Sequence, residues 1–456
     1  MTFHFIGIAG TGMRPLALLA LARGQQITGS DRLFDQGGAS AIRGQLEAAG
    51  ARIVPQDGAG VVRGLEAVVV SSAIELQVPD YLRAKELGIP IIHRAEFLAR
   101  VSADLRTLAV AGTSGKSTVI AMIAFILTHA GFDPTVICGG DLLDFSAEGL
   151  PTGFRLGGSS WAVFETDESD GSLLKFHPTA GVLTNVSEDH KPLSEVKSLF
   201  RQFMLQCREQ RIVGVDCPVA QQLVDGLPHI SYGLADNAQV RPAYAAPLQW
   251  GSDIEIDGER ITLQVPGMFN VQNALAAWAA ARIAGVPRRE TADALSRFHG
   301  LRRRMQVVFE ANGIRVIDDF AHNPDKIAAA IATLQPRCRR LAVIFQPHGF
   351  GPLRMMGDAF VHVFQHGLRS DDRLIMCPVF YAGGTVARDV SSADVTAPLA
   401  QRGVDARTLD RGQIPDELAQ WAKAGDLIAI MGARDDTLTA LAQNIARRIS
   451  GEHGSR

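Results

Sequence analysis

Short apolar runs alternate with longer helix-like runs along most of the chain. "FHFIGIAG" (3–10) reads as a strand entering a turn, and "TGMRPLALLALARG" (11–24) as a helix that ends on Gly24. "QQITGSD" (25–31) is a second strand and "EAVVVSSAI" (66–74) another, and "PIIHRAEFLARV" (90–101) closes the unit. Strands that alternate with helices pair in parallel, so the pattern predicts an α/β fold. The pattern restarts at "TLAVAGTSGKSTVIAMIAFILTHAG" (107–131), an apolar strand, a Gly/Ser loop and an almost wholly apolar helix. It continues through "WAVFETDESD" (161–170) and "AGVLTNVSEDH" (180–190). A third unit starts near "FHGLRRRMQ" (298–306). Its strands are "IRVIDDFAHNP", "RLAVIFQPHG", "DRLIMCPVF" and "DLIAIMGARDD". Where the βα pattern restarts, the expected divisions are 1–106, 107–299 and 300–456.

Composition narrows the class. The chain has 456 residues, enough for two to four domains, with 46% hydrophobic and 20% charged residues, as in soluble domains. A net charge of −3 gives no electrostatic reason to expect nucleic acid or a membrane surface as partner. The five cysteines lack any CxxC spacing, which fits reduced thiols in a cytoplasm. "MTFHFIGIAG" has no basic n-region, so no signal peptide is expected, and the longest apolar run, Val119–Leu127, is too short to span a bilayer.

The loop at 112–118 carries the sharpest chemical signal. Gly112 and Gly115 let the backbone approach phosphate oxygens, with Thr113 and Ser114 between them. Lys116 can reach the outer phosphates, Ser117 can ligate Mg²⁺, and Thr118 follows in the first helical turn. Val110 replaces the first glycine of the usual P-loop, but the strand before and the helix after are the context such a loop needs. A second Gly-rich loop holds Gly10, Thr11 and Gly12, with Asp31 ending the next strand. That layout suits a dinucleotide or UDP-sugar, and suits a tight βα turn about equally. Ser71, Ser72 and Ala73 follow a neighbouring strand, as further ligand contacts or as a helix cap. Glu165 and His190 could hold Mg²⁺ beside the P-loop, although acidic strand ends are also ordinary solvated loops. Asp319, His322 and His348 fall at strand C-termini, and "RRR" (302–304) is either a phosphate contact or a basic surface run.

Taken in order, GIAGTGM, SSAI, GTSGKST, ETDESD, TNVSEDH, PGMFNVQNALAA, GLRRRM, DDFAHNP and FQPH resemble the Mur ligases over nearly the whole chain. The resemblance implies three domains. A Rossmann-like N-terminal domain holds a UDP-sugar, a central P-loop domain with a parallel or mixed sheet holds ATP, and a Rossmann-like C-terminal domain closes over both and takes the acceptor. It implies ATP-dependent amide formation between a UDP-N-acetylmuramate-like carboxylate and an amino acid, L-alanine by default, through an acyl phosphate. Carried over, Lys116 and Ser117 serve phosphate and a first Mg²⁺, and Glu165 and His190 a second. Asn270 and Asn273 lie on the adenine side, Arg304 reaches a phosphate, and Asp319 the ribose. Gly10, Gly12, Asp31, Ser71 and Ser72 face the uridine diphosphate. His322 and His348 are candidates for relieving the amine of its proton, a job that phosphate oxygen could also do.

The departures fall on the acceptor side. After FQPH the family pattern reads R-Y-T-R-T-R, whose arginines hold the acceptor carboxylate. Here the loop reads "GFGPLR", with Gly349 and Pro352 at the first two arginine positions and only Arg354 left. Phe320 stands for a tyrosine, and Asn323 and Phe269 for histidines. The stretch after His190 is short, and no lysine sits where some relatives carry a carbamylated one. Small-molecule substrates are expected, with the oligomeric state open. A paralogue that takes another amine or a peptide, and a non-catalytic nucleotide-binding sensor, are the alternatives.

Overall fold

The computed structural model describes residues 1–72, 74–145, 153–166, 172–187, 192–381, 387–435 and 437–451. The chain divides into two units, Met1–His299 and Gly300–Arg456.

The first unit holds three sheets. β1 (Thr2–Ile6), β2 (Gln26–Ser30), β3 (Arg52–Ile53), β4 (Ala67–Val70) and β5 (Ile91–His93) form a parallel sheet in the order β3-β2-β1-β4-β5. The order reverses direction beside β1, the switch point where open α/β sheets place ligands. The loops after β1 and β4 flank it. Phe3 and Phe5 of β1 meet Phe97 edge-on at 4.9 and 5.1 Å, which locks the helix Arg94–Val101 onto the sheet.

β6 (Arg106–Ala111), β7 (Thr135–Ile137), β8 (Phe154–Arg155), β9 (Trp161–Glu165), β10 (Ala180–Leu183), β11 (Gln210–Gly214) and β12 (Ile230–Tyr232) form the second sheet. Its order is β12-β11-β10-β6-β9-β7-β8, parallel except where β8 meets β7. The helix Lys116–His129 is apolar all round because it is buried between this sheet and the helix Met268–Ala284. "WAVFETDESD" is a strand only to Glu165, and "AGVLTNVSEDH" only to Leu183. Thr184 and Asn185 leave the ladder to bond the loop after β6.

An antiparallel meander completes the unit: β13 (Pro242–Pro247), β14 (Ser252–Ile256) and β15 (Glu259–Leu263). The alternating pattern leaves it unannounced, yet Asp257–Gly258, both at positive φ, is the two-residue hairpin turn that joins β14 to β15.

The second unit is one sheet, β16 (Gln306–Ala311), β17 (Ile314–Asp319), β18 (Leu341–Gln346), β19 (Arg373–Met376), β20 (Asp405–Thr408) and β21 (Leu427–Gly432), in the order β16-β17-β21-β18-β19-β20 with only β16 antiparallel. The four strands read from the sequence are its interior, buried on both faces. "GFGPLR" is not a loop: it opens the helix Phe350–Gly367. Pro352 sits in the first turn, where its missing N–H has no intrahelical partner to lose. All five cysteines are free thiols. Among the described residues no helix is long and apolar enough to cross a membrane.

Candidate active site

The loop after β6 is pinned from the side. Thr113 N donates to the Asn185 carbonyl (3.0 Å), and Ser114 N to Asn185 Oδ1 (2.9 Å). Thr184 Oγ1 donates to the Ser114 carbonyl (2.7 Å), and Thr113 Oγ1 exchanges bonds with Ser187 (3.0 and 3.2 Å). Both glycines are required. A Cβ on Gly112, at φ +135°, would lie 2.0 Å from Thr184 Oγ1; one on Gly115, at φ +86°, would lie 2.6 Å from Asn273 Oδ1. The backbone is thereby held open toward the helix N-terminus. The N–H groups of Lys116, Ser117 and Thr118 precede the i→i−4 ladder there and point at an anion position. Lys116 Nζ folds onto the Gly112 carbonyl at 2.6 Å. This cradle, with a lysine on its rim, fits a nucleotide triphosphate.

Ser117 Oγ donates to Glu165 Oε2 at 3.0 Å, and Gly139 N to the same oxygen at 2.7 Å. A hydroxyl and a carboxylate at this spacing are hard oxygen donors of the kind Mg²⁺ takes. His190 lies outside the described residues, as does Ala73. Among the described residues no group of three His, Cys, Asp or Glu side chains forms a metal cluster. Asn270 and Asn273 are buried beside the cradle, with Asn273 Nδ2 donating to Asn270 Oδ1 (3.1 Å) and Asn270 Nδ2 to the Pro266 carbonyl (2.8 Å).

In the N-terminal sheet, Asp31 does not stand clear as a ribose acceptor would. Its carboxylate takes Ala9 N and Leu33 N, both at 2.9 Å, so it ties the Gly-rich loop to the next helical turn. Gly10 and Thr11 are exposed at the loop tip. A Cβ on Gly12 would meet Arg94 Nη1 at 3.1 Å. Arg94 is thus a cation on the loop that sequence reasoning passed over; its signal was a basic residue opening a helix straight after β5. Ser71 and Ser72 follow β4 on the same edge.

The second unit gathers its groups at the C-terminal ends of β17, β18 and β21. The arginine triplet separates: Arg302 is exposed, Arg303 is buried, and Arg304 stacks on Phe320 at 4.8 Å. Arg303 reaches Asp318 Oδ1 (3.4 Å) and the Gly432 carbonyl (2.8 Å) and lies 5.2 Å over Phe320. Asp319 accepts Met305 N (2.7 Å) and Ala321 N (2.8 Å), holding the turn in which Arg303 and Met305 take positive φ. Burial raises the carboxyls of Asp318 and Asp319 above the ordinary range. Asp319 therefore acts first as a turn anchor that sets where Arg304 points.

His322 and His348 meet edge-to-face at 5.1 Å. His322 Nδ1 lies 2.9 Å from the Phe320 carbonyl, so the proton sits on Nδ1 and Nε2 keeps its lone pair. Burial, with Lys326 nearby, lowers its pKa to about 4. The folded value lies below the unfolded one. Between pH 6.5 and about 4 the unfolded chain therefore binds a proton that the folded chain refuses. Stability should fall as pH drops through that window, by about 3 kcal/mol at most from this group. Denaturant titrations at several pH values check this, and His322→Gln should flatten the slope.

Arg354 is exposed and paired with Asp389, and donates to the Ala387 carbonyl (3.1 Å). It is not held ready for a carboxylate in this conformation, although an exposed pair of this kind gives way at a cost of about 0–1 kcal/mol.

Three family models match in succession: "Mur ligase family, catalytic domain" over residues 2–106, "Mur ligase middle domain" over 110–281, and "Mur ligase, glutamate ligase domain" over 303–434. A UDP-N-acetylmuramate–L-alanine ligase of Pelotomaculum thermopropionicum is 33% identical over 452 residues, covering 95% of this chain and 94% of its own. One from Thermosynechococcus vestitus is 36% identical over 462 residues, covering 94% and 92%. The crystal structure of a UDP-N-acetylmuramate–alanine ligase from Thermotoga maritima superposes with a TM-score of 0.79 at 23% identity, over 99% of this chain and 100% of that one. A murein peptide ligase from Psychrobacter arcticus gives 0.67, also at 23% identity, with both chains covered in full. The two solved structures share the three-domain fold, and the sequence matches run almost end to end, so this chain belongs to the Mur ligase family.

Proposed function

We propose that this chain joins the carboxylate of UDP-N-acetylmuramate to L-alanine at the expense of ATP, in peptidoglycan precursor synthesis. Relatives of that name more than 30% identical over nearly their full length support the substrates. The observation that carries the chemistry is the pinned cradle of Gly112–Ser117 with Glu165 on the Ser117 hydroxyl. We divide the labour at 1–106 for the UDP-sugar, 107–299 for ATP and 300–456 for the acceptor.

In this reading, Gly10, Thr11, Gly12, Ser71, Ser72, Ala73 and Arg94 hold the uridine diphosphate, and Asp31 shapes their loop. The 112–118 backbone and Lys116 hold the ATP phosphates, with Asn270 and Asn273 toward the adenine and Asp319 toward the ribose. Ser117, Glu165 and His190 would hold Mg²⁺, which when bound supplies positive charge against phosphate oxygens. The sugar carboxylate displaces ADP from the γ-phosphate and becomes an acyl phosphate. Lys116 and Arg304 offset the charge that builds on the transferring group. The alanine amine then attacks the acyl carbon; the C–N bond forms as the C–O bond to phosphate breaks, leaving amide, ADP and phosphate. With its pKa lowered to about 4, His322 is a weak base. It would orient the amine through Nε2, and His348 or a phosphate oxygen would take the proton. The substrates are small molecules, and the five free thiols fit a reducing cytoplasm.

Phosphate release from Mg–ATP and UDP-N-acetylmuramate, against a panel of amino acids and short peptides, tests this. The expected result is turnover with L-alanine. A second reading has its own observation, the glycine and proline at the first two expected arginine positions: turnover only with a peptide or another amine would establish it. If Arg354 swings from Asp389 to the acceptor carboxylate, Arg354→Ala should raise the acceptor KM by roughly 10–100-fold, matching about 1.5–3 kcal/mol for a charged hydrogen bond. The KM for ATP should stay unchanged.

A further inference from the structure

A polar network with no exposure lies in the N-terminal sheet, next to the residues that hold the Gly-rich loop. Asp80 stands in the first turn of the helix Pro79–Leu87, and His4, Ser30 and Asp80 are each 0% exposed. His4 of β1 faces the carboxylate, with Nε2 3.2 Å from Asp80 Oδ2, and its Nδ1 lies 2.8 Å from Thr28 Oγ1. Ser30 Oγ donates to the same Oδ2, and Gly58 N donates to Oδ1 at 2.6 Å. His4 shares one face of β1 with Ile6, and Asp80 one face of its helix with Ala84; both neighbours belong to an apolar cluster. Burial there raises the Asp80 carboxyl, but the bonds from His4, Ser30 and Gly58 outweigh it and hold the group below the ordinary range, as an anion.

Such a network is a poor device for stability alone. Taking charge out of water costs about as much as the paired attraction returns, and apolar residues of similar volume often serve as well or better. What a fully bonded buried network does is fix geometry. The geometry fixed here is that of a loop. Ser30 and Asp31 together take three successive amides: Gly7 N (2.8 Å) and Ile8 N (3.1 Å) donate to the Ser30 carbonyl, and Ala9 N (2.9 Å) to the Asp31 carboxylate. The Ser30 side chain is in turn held by Asp80. Asp80 also stands near the end of the segment that begins with Ser71 and Ser72 after β4, and Gly58 lies on the connection from β3 to β4. One carboxylate therefore joins both sides of the switch point at β1.

We propose that Asp80 is a positioning residue for the nucleotide sugar: through the Ser30 hydroxyl it holds the 7–12 loop in the shape that receives the diphosphate, given the reading that Gly10, Thr11 and Gly12 hold the uridine diphosphate. Asp80 itself touches no substrate. Without its carboxylate the Ser30 side chain loses its anchor, and the carbonyl that fixes Gly7 and Ile8 is held by the β1–β2 ladder alone. The effect is confined to the sugar, because the ATP cradle is pinned by Thr184 and Asn185 on another sheet.

Calorimetric binding of UDP-N-acetylmuramate to the full-length protein tests this, with Mg–ATP binding as the control. Asp80→Ala and Ser30→Ala should each weaken the sugar by roughly tenfold, the loss of one hydrogen bond to a buried charge. ATP affinity should stay unchanged in both. The double variant should bind the sugar no more weakly than Asp80→Ala, because the two residues act along one line. Ser30→Ala leaves the His4–Asp80 pair in place. If Asp80→Ala does not fold, Asp80→Asn, which keeps an acceptor for Gly58 N, takes its place in the cycle. Sugar affinity unchanged in the folded variants, losses that multiply in the double variant, or an equal loss of ATP binding overturns the proposal. The loop reading is judged separately, by sugar binding to Gly12→Val. Unchanged binding there rejects that reading, whereas weakened binding there beside unchanged binding in the Asp80 and Ser30 variants rejects only the positioning role.

Discussion

Lys116→Ala should lower turnover by about 10²–10³-fold or more, the loss that follows removal of one preorganised charge-stabilising group, or about 3–4 kcal/mol of barrier. The lysine lies on the rim of the cradle and its ammonium reaches the Gly112 carbonyl. In the proposed reading its charge offsets that of the transferring phosphate, so the effect should fall on kcat more than on binding. The cradle itself is built by Thr184, Asn185 and the two glycines, so the variant should fold. Binding of the nucleotide sugar, measured by calorimetry, should change little, because its loops follow β1 and β4 on another sheet. Equal losses in sugar binding and turnover would mean that Lys116 supports the fold and not the reaction.

Arg303→Met should destabilise the protein by about 3–5 kcal/mol, the cost of leaving a buried carboxylate without its cation. Asp318 is fully buried, and without Arg303 it keeps the Thr439 hydroxyl, at 2.6 Å, and the more distant charge of Arg302. The same guanidinium holds the Gly432 carbonyl, so β21 loses an anchor as well. Denaturant unfolding of the full chain checks the number. Adding Asp318→Leu should restore a good part of the stability, because removing both charges leaves no uncompensated ion. If Arg304 reaches a phosphate as proposed, catalysis should stay impaired even then, since the turn that presents it is still loosened.

These two residues mark where the sequence was legible and where it was not. The place of Lys116 could be read directly, because the Gly-Thr-Ser-Gly-Lys-Ser run lies between an apolar strand and an apolar helix, and the structure puts it at the N-terminus of that helix. Arg303 could not. Three successive arginines look alike in sequence, and only the positive φ at Arg303 and the buried Asp318 turn one of them inward. Asp31 and Asp319 were found as strand-end acids, but their carboxylates bond backbone N–H groups, a use that residue type and position do not distinguish from ligand binding. The parallel strands were visible as apolar runs because they are buried on both faces. The β13–β15 meander was not: its edge strand β13, "PAYAAP", is prolines, alanines and one tyrosine with no buried position, and only the short alternation of β14 and β15 around the Asp-Gly turn marks it. "GFGPLR" was read as a loop on its glycines and proline, though a proline in a first turn is ordinary helix chemistry.

The central claim is that the sugar carboxylate itself attacks ATP. UDP-N-acetylmuramate labelled with heavy oxygen in its carboxylate, turned over with Mg–ATP and L-alanine, tests that most directly by mass analysis of the phosphate released. The account predicts that the phosphate carries one labelled oxygen, drawn from the carboxylate when the acyl phosphate collapses onto the amine. Unlabelled phosphate at full turnover would contradict it, because the carboxylate would then never have been phosphorylated.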